Sequence, residues 1–253
     1  MIALKNIHVA FGNKVILNDL LCTTNKGDFI TIVGPNGAGK SVLLDTIAGT
    51  VLPRSGSISF DGADITHRDE RQRSGFISRI FQNPMLNCVG TMTVAQNLSM
   101  AVLNPKRCGL TPCMNNLSQK ALATLEHLNL TKHLHTPMNK LSGGQRQTIS
   151  FVMATLIPPK LLLLDEPTAA LDPASATELL AFAVSYIKTH TITTLLITHD
   201  PYMAINLGNK LWILEKGGIA KEFSHADEKR NLSPQDLIGH IDYERIKAIN
   251  VNS

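Results

Sequence analysis

The stretch Phe29-Ile30-Thr31-Ile32-Val33-Gly34-Pro35-Asn36-Gly37-Ala38-Gly39-Lys40-Ser41-Val42 decides the fold. Its first five residues form an apolar run of strand length, as expected of a strand buried on both faces. Gly34 to Ser41 then spells a complete G-x-x-x-x-G-K-S loop, and Val42, Leu43, Leu44, Ile47 and Ala48 recur at helical spacing until Gly49, a helix stop. Strand, glycine turn and helix in this order make a phosphate cradle: the glycines let backbone N–H groups turn inward, and the helix N-terminus adds partial positive charge. Gly34, Pro35, Asn36, Gly37, Ala38, Gly39, Lys40, Ser41 and Val42 are therefore the expected nucleotide contacts. Lys40 is expected to reach the β- and γ-phosphates and Ser41 to offer its hydroxyl to Mg²⁺.

Working outward, Ile2 to Val9, Val15 to Leu21 and Ser57 to Phe60 read as strands. Beyond residue 84 the strand-like runs stop. Leu117, Ala121, Leu125 and Leu128 recur at helical spacing and Thr93 is a candidate N-cap, which marks residues of roughly 84 to 140 as a mostly helical insert. After it, Leu161 to Leu164 and Thr194 to Thr198 read as buried strands around a helix near Ser175 to Lys188, the pattern of a parallel sheet. Leu211 to Leu214 and Ile219 to Phe223 flank Gly217-Gly218 as a hairpin, and Ser233-Pro234 is a helix start in the tail 231–253.

Composition excludes several classes. With 43% apolar and 17% charged residues over 253 positions, the chain is neither disordered nor a coiled coil. Its net charge of +4, without a run of like charges, gives no sign of nucleic-acid binding. No apolar stretch approaches the roughly 18 residues that span a bilayer, and the opening MIALKNIHVAFG is not a secretory leader, so a cytoplasmic protein is expected. Cys22, Cys88, Cys108 and Cys113 are too few and too uneven for a disulfide framework.

Two further motifs carry chemistry. Leu161-Leu-Leu-Leu164-Asp165-Glu166 is a buried strand that delivers two carboxylates at its end, Asp165 for Mg²⁺ and Glu166 as general base toward the attacking water. Leu141-Ser142-Gly143-Gly144-Gln145 is a small residue and two glycines opening a helix, able to grip a phosphate with backbone N–H groups and the Ser142 hydroxyl.

These motifs in this order resemble those of ABC ATPases, over a span from about Ile2 to Phe223. The resemblance implies an α/β fold: a P-loop NTPase (RecA-like) core with an antiparallel β subdomain, together 1–83 and 157–230, and an inserted α-helical signature subdomain, 84–156. It implies that Gln82, in Phe81-Gln82-Asn83-Pro84, is a hinge and a Mg²⁺ or water ligand. It further implies that Asp172 belongs to the D-loop, that His199 contacts the γ-phosphate and that Phe11 stacks on adenine. By the same resemblance Leu141, Ser142, Gly143, Gly144 and Gln145 close the ATP of a second copy, with Lys40, Gln82, Glu166 and His199 as the catalytic set and Ser41, Gln82 and Asp165 as the metal set. The implied cofactors are ATP and Mg²⁺. The implied partners are a second copy of the chain, an integral membrane permease received near Pro84 to Gly90, and an extracytoplasmic solute-binding protein, with the chain peripheral on the inner membrane face.

The wording GQRQTISFVMATLIPPKLLLLDEPTAALDP resembles ATPases of bacterial ABC uptake systems for tryptophan- or tyrosine-like solutes. It departs from many family members in carrying Thr148 and Met153 where arginines are common. A soluble ABC ATPase acting on nucleic acid, ribosomes or Fe–S assembly is the rival reading. It is disfavoured by the single cassette and the lack of a coiled coil. A phosphate-loop kinase would leave LSGGQ unexplained. Cys108 and Cys113 with His127, His133 and His135 match no zinc spacing and are expected to be loop residues, and Arg68, Arg71, Arg73 and Arg79 are expected on a solvated or permease-facing surface.

Overall fold

The computed structural model describes residues 1–101, 119–169 and 171–238. Along the chain run β1 (Ile2–Phe11), β2 (Lys14–Thr23), β3 (Phe29–Val33), α1 (Lys40–Ala48), β4 (Ser55–Phe60), β5 (Ala63–Asp64), α2 (Glu70–Arg73) and β6 (Ile77–Ile80). They are followed by α3 (Val94–Ala101), α4 (Gln119–His127), α5 (Gly143–Thr155), β7 (Leu161–Asp165), α6 (Pro173–His190) and β8 (Thr193–Ile197). The chain continues through α7 (Pro201–Asn206), β9 (Lys210–Glu215), β10 (Gly218–Phe223), α8 (Ala226–Arg230) and α9 (Pro234–Ile238). Two compact units divide it: Met1–Ile77, Lys160–Glu166 and Thr191–Ser253 form one, Ser78–Pro159 and Pro167–His190 the other.

In the first unit an antiparallel sheet has the order β2-β1-β4-β5. Alternate residues Ile2, Leu4, Ile7 and Val9 of β1 are buried, as period-2 patterning requires. The second sheet carries β10-β9-β3-β8-β7 in this unit, and its sixth strand, β6, starts at Ile77, where the unit's first segment ends. Every residue of β3, β7 and β8 is buried, and these strands pair in parallel, which is why their sequences are continuous apolar runs. Both sheets contribute to one core with α1, including Leu17, Ile32, Leu43, Ile58, Leu163, Leu195 and the fully buried Trp212. Each such side chain contributes about 1.5–3 kcal/mol by leaving water.

The β9–β10 hairpin turns at Lys216 and Gly217, one residue earlier than the Gly217-Gly218 pair expected from sequence. Both have positive φ (48° and 82°), the type I′ geometry that matches strand twist. The short β5 and β6 and the four-residue α2 lack a periodic signature and were not legible.

Arg73 corrects the expectation of a solvated basic surface. It is fully buried: Nη1 donates to Thr46 O (2.7 Å) and Ile47 O (2.8 Å), Nη2 to Ile65 O (2.7 Å) and Thr66 O (3.1 Å). One guanidinium thereby caps the last turn of the helix that follows the phosphate loop. The Asp69–Gln72 capping box around α2 leads directly into it.

The second unit is helical around a core of its own: Val94, Leu98, Ala121, Leu125, Leu128, Ile149 and Val152. Leu117, the first residue of the expected spacing, lies outside the described residues. Thr93 does cap α3, its hydroxyl accepting from Gln96 N at 3.3 Å while Gln96 Oε1 accepts from Thr93 N at 2.8 Å. Ser233 precedes α9 as expected, its N–H donating to Asp236 Oδ2 at 2.7 Å, and residues 239–253 of the tail lie outside the described residues.

Candidate active site

Parallel register brings the chemistry of the first unit together. Asp165 pairs with Ile197 and Ile32 pairs with the same Ile197, so the chain leaves β3, β7 and β8 at one level. Glu166 N donates to Ile197 O (3.1 Å) and Thr198 N to Ile32 O (3.2 Å), which extends the ladders one residue past each strand. Gly34, Glu166 and His199 emerge there, at the carboxyl ends where open α/β sheets bind ligands.

The loop itself depends on its glycines. Gly34 has φ 157°, and a Cβ there would overlap the carbonyl oxygen of Leu214. Gly39 sits at the N-cap of α1 with φ 98°, a left-handed conformation that side chains resist. Lys40 is 7% exposed, and its Nζ donates to Gly34 O (2.7 Å) and Pro35 O (3.0 Å). The ammonium is thus folded back into the mouth of its own loop. Pro35 is half-buried, Asn36 and Gly37 are exposed, Ala38 is buried and Val42 half-buried.

Ser41 Oγ lies 3.5 Å from Asp165 Oδ1. A hydroxyl and a carboxylate at one point, beside backbone N–H donors and a buried ammonium, are hard oxygen ligands of the kind Mg²⁺ takes while it shares a phosphate. The residues fit the group. Glu166 carries φ 46°, uncommon for a non-glycine residue, and its Oε1 is 2.6 Å from Nε2 of His199. Both side chains are largely buried, and Nδ1 of His199 is buried without a hydrogen-bond partner. Phe11, at the end of β1, is 53% exposed, its ring free to receive a flat group.

The remaining expected site residues belong to the second unit. Gln82 is exposed. Ser142 is the N-cap of α5: its hydroxyl accepts from Gln145 N (3.2 Å) and its N–H donates to Gln145 Oε1 (3.0 Å), closing a capping box. Leu141 is buried, and Gly143 and Gly144 form the first turn. The N–H groups of such a turn have no intrahelical acceptor. Thr148 donates its hydroxyl to Gly144 O at 3.0 Å. Asp172 accepts from Ser175 N at 3.0 Å, and the Ser175 side chain and N–H hold its carboxyl below the ordinary carboxylate value.

Sequence reasoning missed His133. Nε2 of that residue contacts Nε2 of Gln145 at 3.1 Å. Cys108 and Cys113, grouped with it on paper, lie outside the described residues, and no group of three or more metal-binding side chains occurs among the described ones. Nor does any helix among them have the length and apolarity to cross a membrane.

The ABC transporter family pattern matches residues 17–169, more than half of the chain. A tyrosine transport ATP-binding protein of Clostridioides difficile (strain R20291) is 36% identical over 250 residues, covering 96% of this chain and 99% of that protein. A spermidine/putrescine import ATP-binding protein of Pasteurella multocida (strain Pm70) is 31% identical over 95% of this chain, which spans 64% of that relative's length. Among solved structures, a nucleotide-free ATP-binding cassette from an ABC transporter superposes with TM-score 0.80 at 28% identity, covering 96% of this chain and 99% of that one. A dimeric cassette in a post-hydrolysis state bound to ADP and Pi superposes with TM-score 0.75 at 25% identity, covering 88% of this chain and 98% of that one. By the family pattern and these relatives, this chain belongs to the ABC transporter family as an ATP-binding, ATP-hydrolysing subunit.

Proposed function

We propose that the chain drives uptake of a small amino-acid-like solute through a separate integral membrane permease, lying on the inner face of the membrane and served by an extracytoplasmic solute-binding protein. The observation that carries this reading is the 36% identity to a tyrosine transport subunit of nearly equal length. Spermidine/putrescine and sulfate/thiosulfate import subunits are also relatives, at 31% and 30% identity.

In this reading ATP is held between two copies. Phe11 stacks on the adenine, and the Gly34 to Val42 loop wraps the phosphates. Lys40 exchanges its loop carbonyls for phosphate oxygens, and Ser142, Gly143 and Gly144 of the other copy present their helix start to the γ-phosphate. Ser41, Asp165 and Gln82 would hold Mg²⁺, which would supply charge neutralisation at the phosphate oxygens. Glu166 takes the proton of the attacking water and His199 steadies the γ-phosphate, while Asp172 lies at the contact between copies. Hydrolysis splits the shared anion, and repulsion reopens the pair.

Residues 1–83 and 157–230 are the catalytic core in this account and 84–156 the lever. Gln82 is the hinge between them. The permease contact is Pro84 to Gly90, supported by Leu86 and Val89, which are 65% and 39% exposed despite being apolar.

The test is transport in a host strain expressing the chain with its own permease and binding protein. Lys40→Ala should abolish uptake of labelled tyrosine and leave putrescine and sulfate uptake unchanged. Equal tyrosine uptake with either version would reject the assignment.

A further inference from the structure

The contact between His133 and the signature glutamine has only one chemically consistent arrangement. Oε1 of Gln145 is committed to the N–H of Ser142 at 3.0 Å, so the amide turns its NH₂ toward His133, 3.1 Å away. An amide NH₂ only donates. Nε2 of His133 must therefore accept, which makes the imidazole neutral with its proton on Nδ1.

The backbone that carries the imidazole is held independently of the loop the ring touches. His133 ends a short 3₁₀ turn, its N–H donating to Leu130 O at 3.0 Å and its carbonyl accepting from Thr136 N at 2.8 Å. The segment just beyond is tied to the start of α3, where Val94 N donates to Thr136 O (3.0 Å) and Ala95 N to Leu134 O (2.9 Å). The main chain at His133 is therefore anchored, and from it the ring meets the Gln145 amide.

We infer that His133 is a positioning residue for the signature loop. Its Nε2 lone pair holds the Gln145 amide in the one orientation that completes the capping box, and so aims the Ser142 hydroxyl and the Gly143 and Gly144 N–H groups. The inference rests on the proposal that Ser142 to Gln145 closes the nucleotide site of a second copy. A side chain at 133 that accepts at the same reach preserves the arrangement. One that only donates pushes the NH₂ away and pulls Oε1 off Ser142.

The experiment compares His133→Gln, whose amide oxygen reaches about as far as an imidazole Nε2, with His133→Ala and His133→Lys, whose ammonium cannot accept. Full-length proteins are assayed for kcat and KM of ATP hydrolysis and for binding of a fluorescent ATP analogue by the monomer. Loss of one hydrogen bond corresponds to about a fivefold fall in kcat for His133→Ala, a larger fall for His133→Lys, and recovery to within about twofold for His133→Gln. KM and monomer binding should stay within about twofold throughout, because this loop acts only on closure. Three variants equal to wild type would overturn the inference. So would a His133→Gln enzyme as impaired as His133→Lys, or a KM that rises in step with the fall in kcat. Ser142→Phe separates the two levels of argument: if it abolishes turnover while the position-133 series is flat, the shared site stands and the inference fails; if it hydrolyses ATP normally, both fall.

Discussion

Nε2 of His199 lies 2.6 Å from Oε1 of Glu166, at the ends of two neighbouring parallel strands. A contact this short joins the two side chains into one unit, so their catalytic effects should not add. Glu166→Gln is expected to slow ATP turnover by roughly 10²-fold or more while ATP binding survives and an ATP-bound dimer accumulates. His199→Ala should cost a comparable factor. The double variant should be no slower than the worse single one, as measured by steady-state hydrolysis. Multiplicative losses would mean that the pair works independently.

Gly34 has no room for a methyl group against the Leu214 carbonyl. Gly34→Ala should therefore destabilise the fold by about 2 kcal/mol or more, because backbone rather than a flexible side chain must yield. Urea unfolding measures this. Gly37→Ala is the control: nothing lies within 4 Å of a Cβ there, although φ 80° still strains it, so its cost should be smaller.

Arg73 closes four carbonyls with one planar group. Arg73→Met should cost about 3 kcal/mol or more, since buried acceptors are left without donors. Arg73→Lys should recover little, because a single ammonium cannot span the forked geometry. Thermal unfolding of the two variants would report both effects, and a Lys variant as stable as wild type would contradict them.

Lys229 is fully buried, its Nζ donating to Thr31 Oγ1 (3.0 Å), Lys210 O (3.3 Å) and Leu207 O. Burial lowers its pKa from 10.5 to about 7. Between those values the unfolded chain binds more protons than the folded one, so this group makes stability rise as pH increases from about 7 to about 10. Lys229→Met should remove that slope. Denaturant midpoints at several pH values, compared between wild type and Lys229→Met, check it: a pH-independent difference would show that the amine keeps its charge inside.

Much of this was legible in the chain order of residues. Phe29 to Gly49 is a local signal, because a buried strand, a glycine turn and a helix each carry their own periodicity, and β3 and α1 formed where that periodicity put them. Thr93 was readable as a cap for the same reason, since a capping box closes within three residues.

What sequence could not supply is everything set by strand register and burial. Nothing in the spacing of Glu166 and His199, 33 positions apart, states that Asp165 and Ile197 stand opposite each other. Nothing in the spacing of Arg68, Arg71 and Arg73 says that Arg73 turns inward while its neighbours Arg71 and Gln72 stay exposed. His133 looked like one loop histidine among several until folding set it against Gln145. Local motifs are written by dihedral preference and period, which neighbouring residues determine. Long-range partners are chosen by which surfaces pack, and only the folded chain makes that choice.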